Sequence, residues 1–176
     1  DGGGVNKAAH AMVKATTTGG IILNSATVEL GQGARTALTS MVAEVLNCDR
    51  GRVTFAPITT NSTPWEQGTF ASSSTTIMGR AVVKAAEQLK ERVLIFAAED
   101  LGCSPDDLIL EDWTVRKDNE LVPLTPMIMK HFGGPGFEFA GYGYYKAQVP
   151  DDHSAPLETP VDFWEIGWGG AEVQVD

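Results

Sequence analysis

Two short segments of the chain carry the residue types that could hold an anionic ligand. The first is ELGQGART at residues 29–36, and the second is QGTFASSSTT at residues 67–76. Each places glycine, amide or hydroxyl groups just before a helical run, where free backbone N–H groups and the positive end of a helix dipole attract anions. Two such segments about 40 residues apart predict a phosphorylated ligand held between two helix starts.

Each segment also has an explanation that needs no ligand. The glycines around Gln32 are typical of a tight strand-to-helix turn, and Ser and Thr are ordinary N-capping residues. The isolated carboxylates (Glu29, Glu44, Glu66 and Glu87) are predicted to be solvated surface groups rather than catalytic ones. The sequence has no nucleophile elbow, P-loop or G-x-G-x-x-G motif, so the residues alone leave the chemistry open.

Hydrophobic periodicity predicts the elements that position these segments. Apolar residues recur on one helical face over 34–47 and again over about 74–101, which predicts two main helices. A hairpin is predicted from 8–16 and 21–29 around Gly19 and Gly20, followed by strands at 53–58, 108–111, 114–116 and 163–176 and a helix at 125–132. Because strands and helices alternate without a regular βαβ rhythm, we predict an α+β fold, a two-layer mixed sheet packed against two main helices.

Size and composition narrow the class of protein. The chain of 176 residues fits a single domain, residues 1–176, and its ends at Asp1 and Asp176 suggest a piece of a longer polypeptide. A net charge of −10 disfavours nucleic-acid binding, and no run is long enough for a membrane span. Cys48 and Cys103 form no C-x-x-C pair, which predicts reduced thiols and a cytoplasmic protein. The three histidines show no metal-ligand spacing, so no protein-ligated metal is expected.

Both segments resemble the molybdenum hydroxylases, the family of xanthine dehydrogenase and aldehyde oxidase. The stretch 28–36, followed by VAEVL at 42–46, is similar to that family's "GQG…T…AAE.L" pattern. The residues from Pro64 through GTFASSST at 68–75 to GRAV at 79–82 are similar to "P…GT.ASR.T…G.AV", and AEVQVD at 171–176 resembles a closing "EVEVD" strand. The matches span about residues 20–176 in the family's order.

The resemblance implies a molybdopterin cofactor with molybdenum, in a mononucleotide or a cytosine dinucleotide form. By the same resemblance, the cofactor-binding residues are Gly31, Gln32, Gly33, Thr36, Ala71, Ser72, Ser73, Ser74 and Thr75. The implied parent enzyme hydroxylates N-heterocycle or aldehyde carbons with oxygen from water. The implied partners are the rest of the molybdopterin subunit and the iron–sulfur and FAD subunits or domains.

The sequence departs from the family pattern at three points. Ser73 stands where "ASRST" commonly has Arg, which removes a cation from the site. The "G-x-G-E" segment with the family's catalytic glutamate and the "GGxFG" stretch of the first molybdopterin domain do not occur. The chain is therefore expected to be a fragment of the second molybdopterin-binding domain, with no catalytic residue of its own and no cofactor when isolated. A non-catalytic binding or assembly module and a generic phosphate-binding domain remain as alternatives.

Overall fold

The computed structural model describes residues 8–147 and 169–174. The chain opens with the predicted hairpin, formed by β1 (Ala8–Thr16) and β2 (Ile21–Asn24). β2 is shorter than its β-prone run because the chain leaves the sheet at Ser25. Gly19 turns the chain with φ of 83°, a value that favours glycine.

The two main helices lie where the periodicity predicts them. α1 covers Ala34–Leu46 and α2 covers Ser74–Leu101. Gly102 ends α2 in the left-handed conformation expected of a C-terminal glycine cap. β3 (Val53–Phe55) follows α1, after a 3-10 turn at Arg50–Arg52, and is shorter than predicted.

The second half of the chain contains two strands that the sequence did not predict. After a 3-10 turn at Pro105–Asp107 come β4 (Leu108–Glu111), β5 (Thr114–Lys117), β6 (Glu120–Pro123), α3 (Leu124–Phe132) and β7 (Glu138–Lys146). β6 and β7 are the unpredicted ones. The predicted closing strand at 163–176 is wrong for residues 169–174, which are exposed and have no regular structure; its other residues lie outside the described ranges. Alternation alone forms no strand where no neighbouring strand pairs with it.

The elements form two sheets. The larger sheet has the order β3-β2-β1-β7, with β2 parallel to β3 and the other pairs antiparallel, so it is mixed as predicted. Its buried face packs against α1 and α2, and β4, β5 and β6 form a separate antiparallel sheet. The α+β prediction is confirmed. No helix in residues 8–147 or 169–174 is both long and apolar enough to cross a membrane.

Two glycines let α2 lie directly on the sheet. A Cβ atom at Gly141 would lie 2.1 Å from the carbonyl oxygen of Ala85, and one at Gly143 would lie 1.9 Å from that of Ala81. β7 therefore accepts the backbone of α2 at a distance that no larger residue allows. The small side chains of Ala81 and Ala85 are fully buried at this contact. This contact fixes the position of α2, and the first residues of α2 belong to the second polar segment.

Candidate functional site

The first polar segment folds around a carboxylate of its own chain. Oε1 of Glu29 accepts hydrogen bonds from the backbone N–H of Gly31 at 3.0 Å and of Gly33 at 2.9 Å. Oε2 accepts one from the N–H of Arg35 at 3.2 Å. Hydrogen bonds from Gly33 and Arg35, followed by that from Gly31, lower the pKa of Glu29. Glu29 is open to solvent, as predicted, and its carboxylate in addition caps the start of α1.

The side chain of Gln32 closes the same turn. Its Oε1 accepts from the N–H of Leu30 at 2.6 Å, and its Nε2 donates to the carbonyl of Val28 at 2.9 Å. Gly33, the N-cap residue of α1, is left-handed with φ of 74°. Glu29 and Gln32 together give the turn a fixed shape without any ligand.

The second polar segment reaches α2 through two left-handed residues. Ala71 and Ser72 both have φ of 50°, a conformation that costs residues other than glycine about 1–2 kcal/mol each. Ser73, the N-cap residue, is buried and donates its hydroxyl to the carbonyl of Phe70 at 2.9 Å instead of capping the helix. The start of α2 thus lacks the N-cap side-chain bond that its serine could make.

The two segments meet at an open cleft of about 360 Å³. Five of the predicted site residues line it: Gln32, Ala71, Ser72, Ser74 and Thr75, together with Leu30, Thr69 and Phe70. The other predicted site residues do not line it. Gly31 and Gly33 have their N–H groups on Glu29, Thr36 is exposed on α1, and Ser73 is buried behind the cleft.

Side chains behind the cleft connect the two segments. The N–H of Val28 donates to Oγ1 of Thr69 at 3.1 Å. The hydroxyl of Thr27 donates to Oε2 of Glu66 at 2.7 Å. The prediction that Glu66 is a solvated surface group is wrong, because its carboxyl is half-buried and bonded to Thr27. Thr27 was not predicted at all, because residues 39 positions apart give no local signal of contact. Glu29 was detectable, since an acid two residues before a glycine-rich turn can reach its N–H groups.

The cleft wall carries amide and hydroxyl groups beside apolar ones, and holds no cationic side chain among its described lining residues. The guanidinium of Arg35 lies over the ring of Phe55, 5.1 Å from its centroid. Burial raises the pKa of Glu66, against the opposing effect of hydrogen bonds from Thr27 and Thr69. No cluster of His, Cys, Asp or Glu suited to a metal ion occurs within residues 8–147 and 169–174. A ligand here would meet neutral donors and the start of α2.

The donor set fits a polar, phosphate-bearing group. Ser72, Ser74 and Thr75 line the cleft at the start of α2, and Oγ of Ser74 is buried with no hydrogen-bond partner among the described residues. Helix N-termini and hydroxyl donors bind phosphates without a cation. The start of α1 offers fewer donors to a ligand than the start of α2, since its N–H groups already donate to the carboxylate of Glu29.

The whole chain matches one protein family. The model of the molybdopterin cofactor-binding domain matches residues 2–176. The protein named "Probable hypoxanthine oxidase XdhD" of Escherichia coli (strain K12) is 35% identical over 139 residues, covering 78% of this chain and 14% of that protein. The nicotine 6-hydroxylase large subunit of Paenarthrobacter nicotinovorans is 30% identical over 102 residues, covering 58% of this chain and 12% of that subunit.

The fold recurs in a solved structure. Quinoline 2-oxidoreductase from Pseudomonas putida 86 superposes with a TM-score of 0.68 and 22% identity, over 80% of this chain and 20% of that one. The chain spans about a seventh of the length of the first curated relative named above. The family match, together with these relatives, confirms the resemblance seen in the two polar segments. The chain belongs to the molybdopterin cofactor-binding domain family of the molybdenum hydroxylases.

Proposed function

We propose that this chain is the molybdopterin-binding part of an oxidoreductase of the xanthine dehydrogenase and aldehyde oxidase type. The observation that carries the proposal is the cleft in which Gln32 of the first segment meets the start of α2. The reaction would be hydroxylation of an N-heterocycle or aldehyde carbon with oxygen from water. The names of the relatives, a hypoxanthine oxidase and a nicotine 6-hydroxylase, support the N-heterocycle class. No observation favours the non-catalytic alternative.

Within the proposed site, the role of this chain is to bind the cofactor and to orient it. Gln32, Ala71, Ser72, Ser74 and Thr75 would contact the cofactor, because they line the cleft. We assign Gly31, Gly33, Thr36 and Ser73 to the frame that holds those residues. When bound, the cofactor supplies the redox chemistry at its molybdenum. The described cleft-lining residues are amides, hydroxyls and apolar groups, so they contribute no acid or base.

The surroundings of the cleft favour a large protein partner. Leu30 is 69% exposed, Trp65 60% and Phe70 42%, and Leu30 and Phe70 stand on the cleft wall itself. Exposed large apolar groups beside a site mark an interaction surface. We propose that the rest of the molybdopterin subunit covers them, and that the iron–sulfur and FAD subunits or domains complete the enzyme. A cytosine dinucleotide form of the cofactor, a cytoplasmic location and loss of the cofactor from the isolated chain belong to the same proposal.

Molybdenum content tests the proposal. Gln32→Ala, Ser72→Ala and Ser74→Ala are combined in the full-length polypeptide that contains this chain, and bound molybdenum is measured per purified protein. Loss of three hydrogen bonds of about 1 kcal/mol each predicts about 100-fold weaker retention. The matched control combines Ser40→Ala and Thr54→Ala, two exposed hydroxyls away from the cleft. Full molybdenum occupancy in the triple variant would remove these residues from the site.

A further inference from the structure

Two buried oxygen atoms behind the cleft lack a hydrogen-bond partner among the residues that the structure describes. They are Oε1 of Glu66 and Oγ of Ser74. Buried polar atoms in folded proteins nearly always have a partner, either another protein group or an ordered water. The two residues belong to the same long loop and helix start, eight positions apart in the chain. Their shared lack of a partner therefore calls for one explanation.

Glu66 and Ser74 line the same small cavity. Its volume is about 10 Å³, which is about the space that the centre of one water molecule needs. Ala9, Ile77 and Met78 form an apolar part of its wall, so Glu66 and Ser74 supply most of the unmatched polar character there. A single water would satisfy both oxygens at once, whereas no described side chain does so.

We propose that one ordered water binds in this cavity between Glu66 and Ser74, and that Glu66 thereby positions the Ser74 hydroxyl at the cleft. Ser74 is suited to this role because it lines both the cavity and the cleft. The role assigned to Ser74 rests on the proposed function, but the water itself does not.

The hydrogen-bond geometry gives the water a direction. The hydroxyl of Thr27, at 2.7 Å from Oε2, and the hydroxyl of Thr69 both bond the carboxyl of Glu66 and orient it, while Oε1 has no partner among the described residues. A water has two protons to donate, one for Oε1 of Glu66 and one for Oγ of Ser74. The Ser74 hydroxyl keeps its own proton. Because Oγ is buried just beneath the cleft surface, that proton is available only to an acceptor, such as a phosphate oxygen, seated directly against the start of α2.

The proposed water bridge to Ser74 also explains why the carboxyl of Glu66 lies beside a partly apolar cavity. The carboxyl is tied to Thr27 near the first segment and stands in the loop that leads to the second one. The β-bridge between Ala9 and Glu66 anchors its backbone to the start of β1. Glu66 is therefore fixed from both sides and serves as a rigid support for the serine at the start of α2.

A crystal structure of the full-length polypeptide tests the water directly. We expect density for one water within hydrogen-bond distance of both Glu66 Oε1 and Ser74 Oγ. Glu66→Met, which has a similar length and no polar end, should lose that water, and Glu66→Gln should keep it. A direct bond between Glu66 and Ser74, a cavity closed by side chains, or a cavity without density would each overturn the proposal.

Retention of molybdenum tests the positioning role separately. Glu66→Met should retain the metal about tenfold less well, the effect typical of a group one step behind a ligand, and Glu66→Gln should restore retention. Adding Ser74→Ala to Glu66→Met should cause little further loss, because Glu66 acts through Ser74. Glu87→Met, on the exposed face of α2, is the matched control.

The two sets of results separate the claims. If Glu66→Met keeps wild-type retention although its water is gone, Glu66 is not a positioning residue. If Ser74→Ala alone leaves retention unchanged while the water is present in the wild type, the proposed cofactor contact fails and the water site stands.

Discussion

Replacing Gly143 with alanine should separate α2 from the sheet. The added Cβ would lie 1.9 Å from the carbonyl oxygen of Ala81 and 2.6 Å from the backbone nitrogen of Ala85. Ordinary contact begins at 3.4 Å, so the helix would have to retreat by about 1.5 Å along its contact with β7. Both clashing atoms are helix backbone, which cannot change rotamer to make room.

The expected cost follows from this geometry. Overpacking a core typically costs 1–3 kcal/mol, and a clash with backbone belongs at the upper end, so we expect about 3 kcal/mol of lost unfolding free energy. With a urea m-value of about 2 kcal/mol/M, the unfolding midpoint should fall by about 1.5 M. Urea titration of the 176-residue chain, followed by far-UV circular dichroism, measures this shift.

Gly136→Ala is the matched control, since no atom of the described residues lies within 4 Å of a Cβ built there. It should stay within about 0.5 kcal/mol of the wild type. If Gly143→Ala unfolds at the same urea concentration as Gly136→Ala, the close approach of α2 and β7 is not a real constraint, and the reasoning about how α2 is fixed is refuted.

Three further changes address turns and caps. Hydrogen bonds lower the folded-state pKa of Glu29, so the charged carboxylate stabilises the fold above the ordinary pKa of 4.5, and this stabilisation is lost as the pH falls. Glu29→Gln should therefore be less stable than the wild type at neutral pH, and the difference should shrink in acid. Thermal unfolding across pH 2–7 measures it. Gly19→Ala should lose about 2–3 kcal/mol in urea unfolding, because φ is 83° and the Cβ would lie 2.5 Å from the buried ring of Trp113. Asn47 ends α1 at φ of 50° and its Nδ2 donates to the carbonyl of Leu110, so Asn47→Ala should lower the free energy of unfolding by about 1–2 kcal/mol and Asn47→Gly by less. Equal stability of the two variants would contradict the left-handed cap.

The sequence predicts those parts of the fold that depend on local pattern. α1 and α2 were predictable because their apolar residues repeat at helical spacing and because Asn47 and Gly102, residue types that favour the left-handed conformation, stand at their C-terminal ends. β7 was missed because Gly141 and Gly143 are usual turn residues. Their role appears only when α2 lies against them, and that contact joins residues far apart in the chain.

The candidate site was predictable to a similar degree. Glycine and hydroxyl clusters before helices located both segments, and the cleft brings Gln32 to Ser72, Ser74 and Thr75. The prediction that both helix starts offer free N–H groups is wrong for the start of α1. Glu29 occupies the first one, and the tie between Thr27 and Glu66 depends on a long loop folding back along β1.

The occupied start of α1 changes how the chain can hold an anion. A ligand phosphate at that helix would face the carboxylate of Glu29, which is stabilised in its charged form by the same N–H groups. The start of α2 has no such competitor among the described cleft residues and keeps three hydroxyls around it. Since the protein carries a net charge of −10 and no cationic side chain lines the described part of the cleft, general electrostatic attraction does not draw an anion in. Binding must then come from short, directed hydrogen bonds at one helix start, whose geometry is fixed by Gly143 and Gly141 beneath α2.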